Sequence, residues 1–165
     1  MPVIIRTITY ATLFIGIVLV FLPAWILSRA GVPAPADHGA TQLAGAVVTL
    51  AGGGLALWSV VSFVRFGRGT PAPFDPPTRL VTSGPFAWIR NPMYAGAGAA
   101  LAGAALFYRS WALLGYAVGF FAVTHVFVVV HEEPALRRAF GGAYEAYCRR
   151  VGRWWPRRGA SSNAD

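Results

Sequence analysis

No lysine occurs in this sequence; all 14 basic residues are arginine, opposed by only six acidic ones. Charged side chains amount to 12% of the chain, about half the share usual in soluble domains. With 56% of its residues hydrophobic, a chain of 165 residues carries more apolar surface than a soluble interior of that size can cover, so a bilayer is its natural solvent. The single cysteine, Cys148, excludes an intramolecular disulfide and any multi-cysteine metal site. The histidines and acids match no compact ligand spacing, so no metal is expected. A net charge of +8 would suit nucleic acid. The arginines, however, flank apolar runs instead of decorating a polar domain, and no nucleic-acid partner is expected.

What the chain does have is long apolar runs. The first, 3–27, holds one charge, Arg6, near its start. It is too long for the core of a signal peptide and reads as a membrane span. The expected fold is all-α and integral to the membrane, a single domain over 1–158 with a disordered tail at 159–165. Four transmembrane helices are expected at about 3–27, 41–66, 93–108 and 111–130, with an interfacial amphipathic helix at about 134–151. Thr41 is a candidate N-cap, and Pro23 is expected to kink the first span. Gly52, Gly53 and Gly54, and the Gly115/Gly119 pair, suit close helix contact.

Between the second and third spans, Pro71, Pro73, Pro76, Pro77 and Pro85 forbid a regular helix. The apolar residues Leu80, Val81, Phe86, Trp88 and Ile89 should fold back onto the membrane domain. In the last helix Leu136, Phe140, Tyr144, Tyr147 and Val151 recur at helical spacing. Pro134, Glu132 and Glu133 suit its first turn, and Trp154 and Trp155 are interface anchors. With four spans, one side receives Arg6, Arg65, Arg68, Arg79, Arg90 and every arginine from Arg137 onward; the other receives Arg29 and Arg109. That asymmetry places both termini and the working face in the cytoplasm.

The chemistry-bearing residues fall on that face. A tight hairpin over 93–130 brings 90–94 beside 131–133, so Arg90 meets Glu132 and Glu133. This is the right chemistry for a zwitterion, with arginine for a carboxylate and glutamate for an ammonium. Trp88, Tyr94, Tyr144 and Tyr147 are placed to stack a ring or face a sulfonium. An ion cluster that only pins helix ends, in a non-catalytic membrane scaffold, accounts for the same residues equally well. His125 reads as a hydrogen-bonded histidine within the membrane, and His131 as a proton handler.

Several ordered motifs then carry a resemblance. Gly84-Pro85-Phe86 is followed by Arg90-Asn91-Pro92-Met93-Tyr94, a helical hairpin and Glu132-Glu133. Phe140-Gly141-Gly142-Ala143-Tyr144-Glu145-Ala146-Tyr147 and Trp154-Trp155-Pro156 complete the series. This resembles the isoprenylcysteine carboxyl methyltransferase and phospholipid methyltransferase families of membrane enzymes. The likeness implies an S-adenosylmethionine site built from 80–156, with Arg90, Asn91, Tyr94, Glu132, Glu133, Tyr144 and Tyr147 about the cofactor. Gly96 and Gly98 would let it approach. Asn91 stands where the eukaryotic enzymes have histidine and cannot titrate. The implied activity is methyl transfer to a lipophilic or lipidated substrate drawn from the membrane lipids. Carboxyl O-methylation of an isoprenylcysteine-like substrate is the first form, and phospholipid or other amine N-methylation the alternative. A carboxylate acceptor needs only an anchor such as Arg90 or Arg137, whereas an amine needs a base such as His131 or Glu133.

Overall fold

A computed structural model describes residues 15–36, 39–67 and 79–157. The start of the first expected span (3–14, with Arg6), the stretch with Arg68, Pro71, Pro73, Pro76 and Pro77, and the tail beyond Arg157 lie outside the described residues. Among those described, regular structure is helical, apart from one isolated bridge between Ile89 and Gly152. A π-helical stretch, Ile15–Phe21, runs into α1 (Leu22–Arg29). Then come α2 (Ala40–Gly67), a short 3-10 turn (Gly84–Ala87), α3 (Pro92–Phe107) and α4 (Trp111–Phe127). A second π-helical stretch, Val128–Glu132, joins α4 to α5 (Glu133–Phe140), and α6 (Gly142–Arg150) follows.

Among the described residues, two helices are long and apolar enough to cross a membrane: Ala40–Gly67 and the continuous helix Trp111–Phe140. Gly16–Arg29 and Pro92–Phe107 are apolar but shorter. At 16 residues, α3 spans about 24 Å, less than the roughly 30 Å of a hydrocarbon core.

The arrangement is inside-out by the standard of soluble proteins. α2 buries Gln42, Gly45, Gly52, Ser59 and Ser62, while Leu50 is 75% exposed and Leu43, Leu57 and Val61 also face outward. Small residues inside and large apolar ones outside are what lipid selects, because tails solvate leucine while close backbone contact joins helices. α2 and α3 run antiparallel in such contact. A Cβ on Gly45 would come within 2.5 Å of the Phe107 amide nitrogen, and one on Gly52 within 2.5 Å of that of Ala100. The Thr49 hydroxyl lies 2.8 Å from the Gly45 carbonyl of its own turn and 3.3 Å from the Ala100 carbonyl of α3. Gly53 and Gly54, and likewise Gly115 and Gly119, have open space where a Cβ would stand. Of the expected packing glycines, therefore, Gly52 is in the seam, and the α3–α4 hairpin does not use Gly115 and Gly119.

Two prolines shape the long helices in one way. Proline lacks an N–H, and its ring collides with the carbonyl four residues back, which a locally wider helix relieves. Each π-helical stretch lies just before a proline, Pro23 or Pro134. The π partner of the Val18 carbonyl would be Pro23, which cannot donate; the Tyr116 hydroxyl of α4 donates to it instead at 2.9 Å. At Pro134 the helix continues, so Glu132 and Glu133 do not stand at a free helix start as their motif suggested. The interfacial helix expected over 134–151 is instead broken at Gly141, whose φ of +50° suits glycine. The break folds α6 against α5, so Leu136, Phe140, Tyr144, Tyr147 and Val151 still form one cluster with Leu80. α2 begins at Ala40, not Thr41, and the Gln42 side chain accepts from the Gly39 N–H at 3.2 Å.

The segment before α3 folds back as expected. Val81 and Phe86 are buried, Phe86 lies 6.1 Å from Phe63, and Trp88 meets Trp58 edge-on at 5.6 Å. Gly52→Leu should lower the unfolding midpoint in detergent, at a cost of about 1–3 kcal/mol for overpacking the α2–α3 seam. Gly53→Ala, one residue on but facing open space, should be neutral or stabilising by up to about 1 kcal/mol.

Candidate active site

Glu133 is 3% exposed, and an ion buried to that degree requires matched partners. Three separate pieces of chain supply them. Arg153 makes two hydrogen bonds, Nε to Oε1 at 2.7 Å and Nη2 to Oε2 at 3.0 Å. Arg90 Nη1 lies 3.1 Å from Oε1, and Arg137, one turn along the same helix, lies 3.8 Å from Oε2. Arg137 also pairs with Glu145 at 2.8 Å. The backbone fixes the same meeting point: the Arg90 N–H donates to the Gly152 carbonyl at 2.8 Å, and Asn91 Nδ2 donates to that of Arg153 at 3.3 Å. A side chain at Gly152 would collide with the Trp155 carbonyl, which accounts for glycine in this turn.

Around this knot stand the other expected residues. Arg90 Nη1 lies 2.7 Å from Cys148 Sγ and 3.5 Å from the Tyr144 hydroxyl. Tyr147 donates to the Phe86 carbonyl at 2.7 Å. Burial raises the pKa of both phenols above the ordinary tyrosine range, so both remain protonated donors at neutral pH. Tyr94 is hydrogen-bonded to Glu132.

Among the described residues, two buried side-chain atoms have no hydrogen-bond partner: Arg90 Nε and Glu132 Oε2. One is a cationic donor and the other an oxygen of a carboxyl group whose pKa burial pushes up to about 7. A bound ammonium beside that carboxyl would favour its charged form, so together the two complement a carboxylate and an ammonium. A cavity of about 660 Å³ is lined by α3 (Ala95, Gly98, Ala99, Ala102), α4 (Leu114, Ala117, Val118, Phe121) and Leu55 of α2. Pro85, Trp88, Ile89, Trp154, Trp155 and Pro156 close it. Ile89, Ala95 and Trp154 of this lining are the chain neighbours of Arg90, Tyr94 and Arg153. Polar cluster and apolar cavity therefore share a wall.

The structure thus brings together Arg90, Tyr94, Glu132, Glu133, Tyr144 and Tyr147. Asn91 is buried at the edge and spends its amide on the Arg153 carbonyl. Gly98 lines the cavity, but Gly96 is closed to any ligand: a Cβ there would stand 2.6 Å from the Ala56 nitrogen and the Gly52 oxygen of α2. His131 is exposed, its ring 5.7 Å from Phe127. Sequence reasoning missed Arg153, the partner making both short bonds to Glu133. Its one signal was position: a lone arginine between Val151 and Trp154, outside the arginine pairs of the helices. Nor did the sequence point to the contact of Cys148 with Arg90.

The chain matches the family model described as phospholipid methyltransferase over residues 40–143. It belongs to that family of membrane methyltransferases. The matched region holds Arg90, Tyr94, Glu132 and Glu133, and stops one residue short of Tyr144. A comparison with individual curated proteins gives no match.

Glu133→Gln should destabilise the protein by about 3–5 kcal/mol, because guanidiniums in a buried site lose their counter-ion. Thermal unfolding in detergent would show it as a lowered midpoint. Arg137→Ala, at a side chain 47% exposed, should leave the midpoint unchanged.

Proposed function

We propose that this chain transfers a methyl group from S-adenosylmethionine to a lipophilic acceptor, with the donor's amino-acid end at Arg90 and Glu132 and the acceptor's apolar part in the adjoining cavity. The observation that carries this reading is the pair of buried unpartnered atoms, Arg90 Nε and Glu132 Oε2. A buried polar atom without a partner costs on the order of 1–3 kcal/mol, more if charged, and a zwitterionic ligand would satisfy both at once. Bound there, S-adenosylmethionine supplies an electrophilic methyl group already activated on its sulfonium. The protein's own residues then have two tasks, to orient and to exclude water. Arg90 and Glu132 orient, held in turn by Glu133 and Tyr94. Tyr144 and Tyr147 keep the cluster dry, and the cavity's alanines and aromatics provide an apolar berth.

Membership of the family supports the reaction class, and the bases to hand bear on the acceptor group. Glu133 is saturated by guanidiniums, Glu132 is assigned to the donor, and His131 is exposed beside Phe127. A carboxylate acceptor needs no base, so O-methylation of an isoprenylcysteine-like carboxylate is the first reading. Amine N-methylation of a phospholipid is the second, favoured by the description of the matching family. Four crossing helices with both termini in the cytoplasm are the topology we assign. Among the described residues, Arg65, Arg79, Arg90 and all those from Arg137 to Arg157 lie at the site end, against Arg29 and Arg109 at the other. Trp25 and Trp111, both largely exposed, mark that other end as interfacial anchors.

Calorimetry in detergent should detect S-adenosylmethionine binding that Glu132→Gln weakens at least tenfold, the loss of one charge-assisted bond. The amide keeps the side chain's shape, so the unfolding midpoint should hold. Absence of binding by a well-folded native protein would overturn the reading and return the scaffold alternative. Methyl transfer from labelled donor to N-acetyl-S-farnesylcysteine or to dioleoyl phosphatidylethanolamine separates the two acceptor groups.

A further inference from the structure

Trp154 lines the cavity and is fixed by a hydrogen bond reaching into the middle of a long helix. Its indole N–H donates to His125 Nδ1 at 3.0 Å, with the two rings 6.0 Å apart. Phe121, one turn earlier on the same face of α4, lies 4.8 Å from the indole. An imidazole that accepts at Nδ1 carries its proton on Nε2 and is neutral, a form compatible with an apolar helix. Trp154 needs such a fixture. It sits on irregular backbone beyond the end of α6, where neither helix nor sheet holds its side chain. The neighbouring Arg153 is tied to Glu133, and the Gly152 carbonyl accepts from the Arg90 amide. Those ties place the backbone only. Which way the indole turns, and so where the cavity wall stands, is decided by Phe121 on its face and His125 at its N–H.

We infer that His125 is a positioning residue for the acceptor cavity: through the Trp154 indole it fixes the wall against which the acceptor's apolar part lies. The inference rests on the cavity being the acceptor site, as proposed above. An apolar contact broad enough to bury an indole face adds affinity only if that face is already in place when the acceptor arrives. Without the hydrogen bond the indole turns among rotamers, and binding must then order it. The expected consequence is a weaker acceptor with unchanged chemistry.

Two variants separate this role from general packing. His125→Phe keeps an aromatic ring beside the Trp154 indole and removes the acceptor atom. His125→Asn places an amide oxygen near the position of Nδ1 and can restore the bond. The reporter is the indole ¹⁵N–¹H resonance of Trp154 in detergent, identified by its loss in Trp154→Phe. It should move upfield in His125→Phe and return towards its native position in His125→Asn. With whichever of N-acetyl-S-farnesylcysteine and dioleoyl phosphatidylethanolamine is methylated, His125→Phe should raise KM about five- to tenfold. Its kcat and S-adenosylmethionine affinity should stay within twofold of native, and His125→Asn should recover most of the KM. A KM within twofold of native in His125→Phe, with the resonance moved, would overturn the inference, and so would a resonance that does not move. Should the native protein bind S-adenosylmethionine but methylate neither probe, the acceptor reading has failed separately. The inference is then judged by titrating the indole resonance with N-acetyl-S-farnesylcysteine: no shift at saturation, or equal affinity in native and His125→Phe, sinks it.

Discussion

The Glu133 carboxylate is the constraint on which the rest of the structure depends. Removing a carboxylate from water costs several kcal/mol even after relaxation, and only well-placed counter-charges offset it. Here they come from three places: Arg90 ahead of α3, Arg137 a turn beyond Glu133 on α5, and Arg153 in the segment after α6. Segments far apart in sequence are therefore tied at one atom pair, and the polar cluster, the turn at Gly152 and the seat of the last tryptophans follow from that tie. The deficit of acids in the sequence gives this residue its weight. With six acids to 14 arginines, few carboxylates exist to gather the guanidiniums.

The helices beneath are arranged so that this knot forms at their common end. α2 and α3 meet glycine to backbone, which leaves leucine and valine on the outer surface for lipid. Two prolines within long helices are absorbed by wider turns; one turn frees the Val18 carbonyl for Tyr116, and the other carries α4 onward into Glu132 and Glu133. Because that helix runs on through Pro134 instead of stopping near 130, the paired glutamates lie within a continuous rod. Rigid supports of this kind suit a site that works by alignment.

Methyl transfer from a sulfonium asks little of a protein in acid–base terms. The site as proposed suits that demand: its charged groups are paired with one another, two buried atoms among the described residues lack a partner, and the neighbouring space is apolar. With the donor's amino-acid end at Arg90 and Glu132, as proposed, an acceptor whose tail lies along the alanines of α3 would meet it from the apolar side. The last turn of chain forms the wall on both sides, with Arg153 facing the charges and Trp154 the cavity.

Composition and pattern alone determined that the chain is helical and built for lipid, and that Arg90 and the paired glutamates belong together. Those conclusions follow from hydropathy, helical period and the return of a short hairpin, all local or nearly local properties. The apolar face of Leu136, Phe140, Tyr144, Tyr147 and Val151 was legible for the same reason, although not its break at Gly141. What only the tertiary structure decided was which partner each residue takes. Gly96 meets α2 and not a ligand, since helix seams depend on rotation about the axis, which a glycine pattern leaves open. Gly115 and Gly119 face outward for the same reason. Arg153 reaches Glu133, and Trp154 reaches His125, across 20 and 29 residues of sequence. Such pairings have no period to betray them, because they arise where irregular backbone is pulled onto a buried charge.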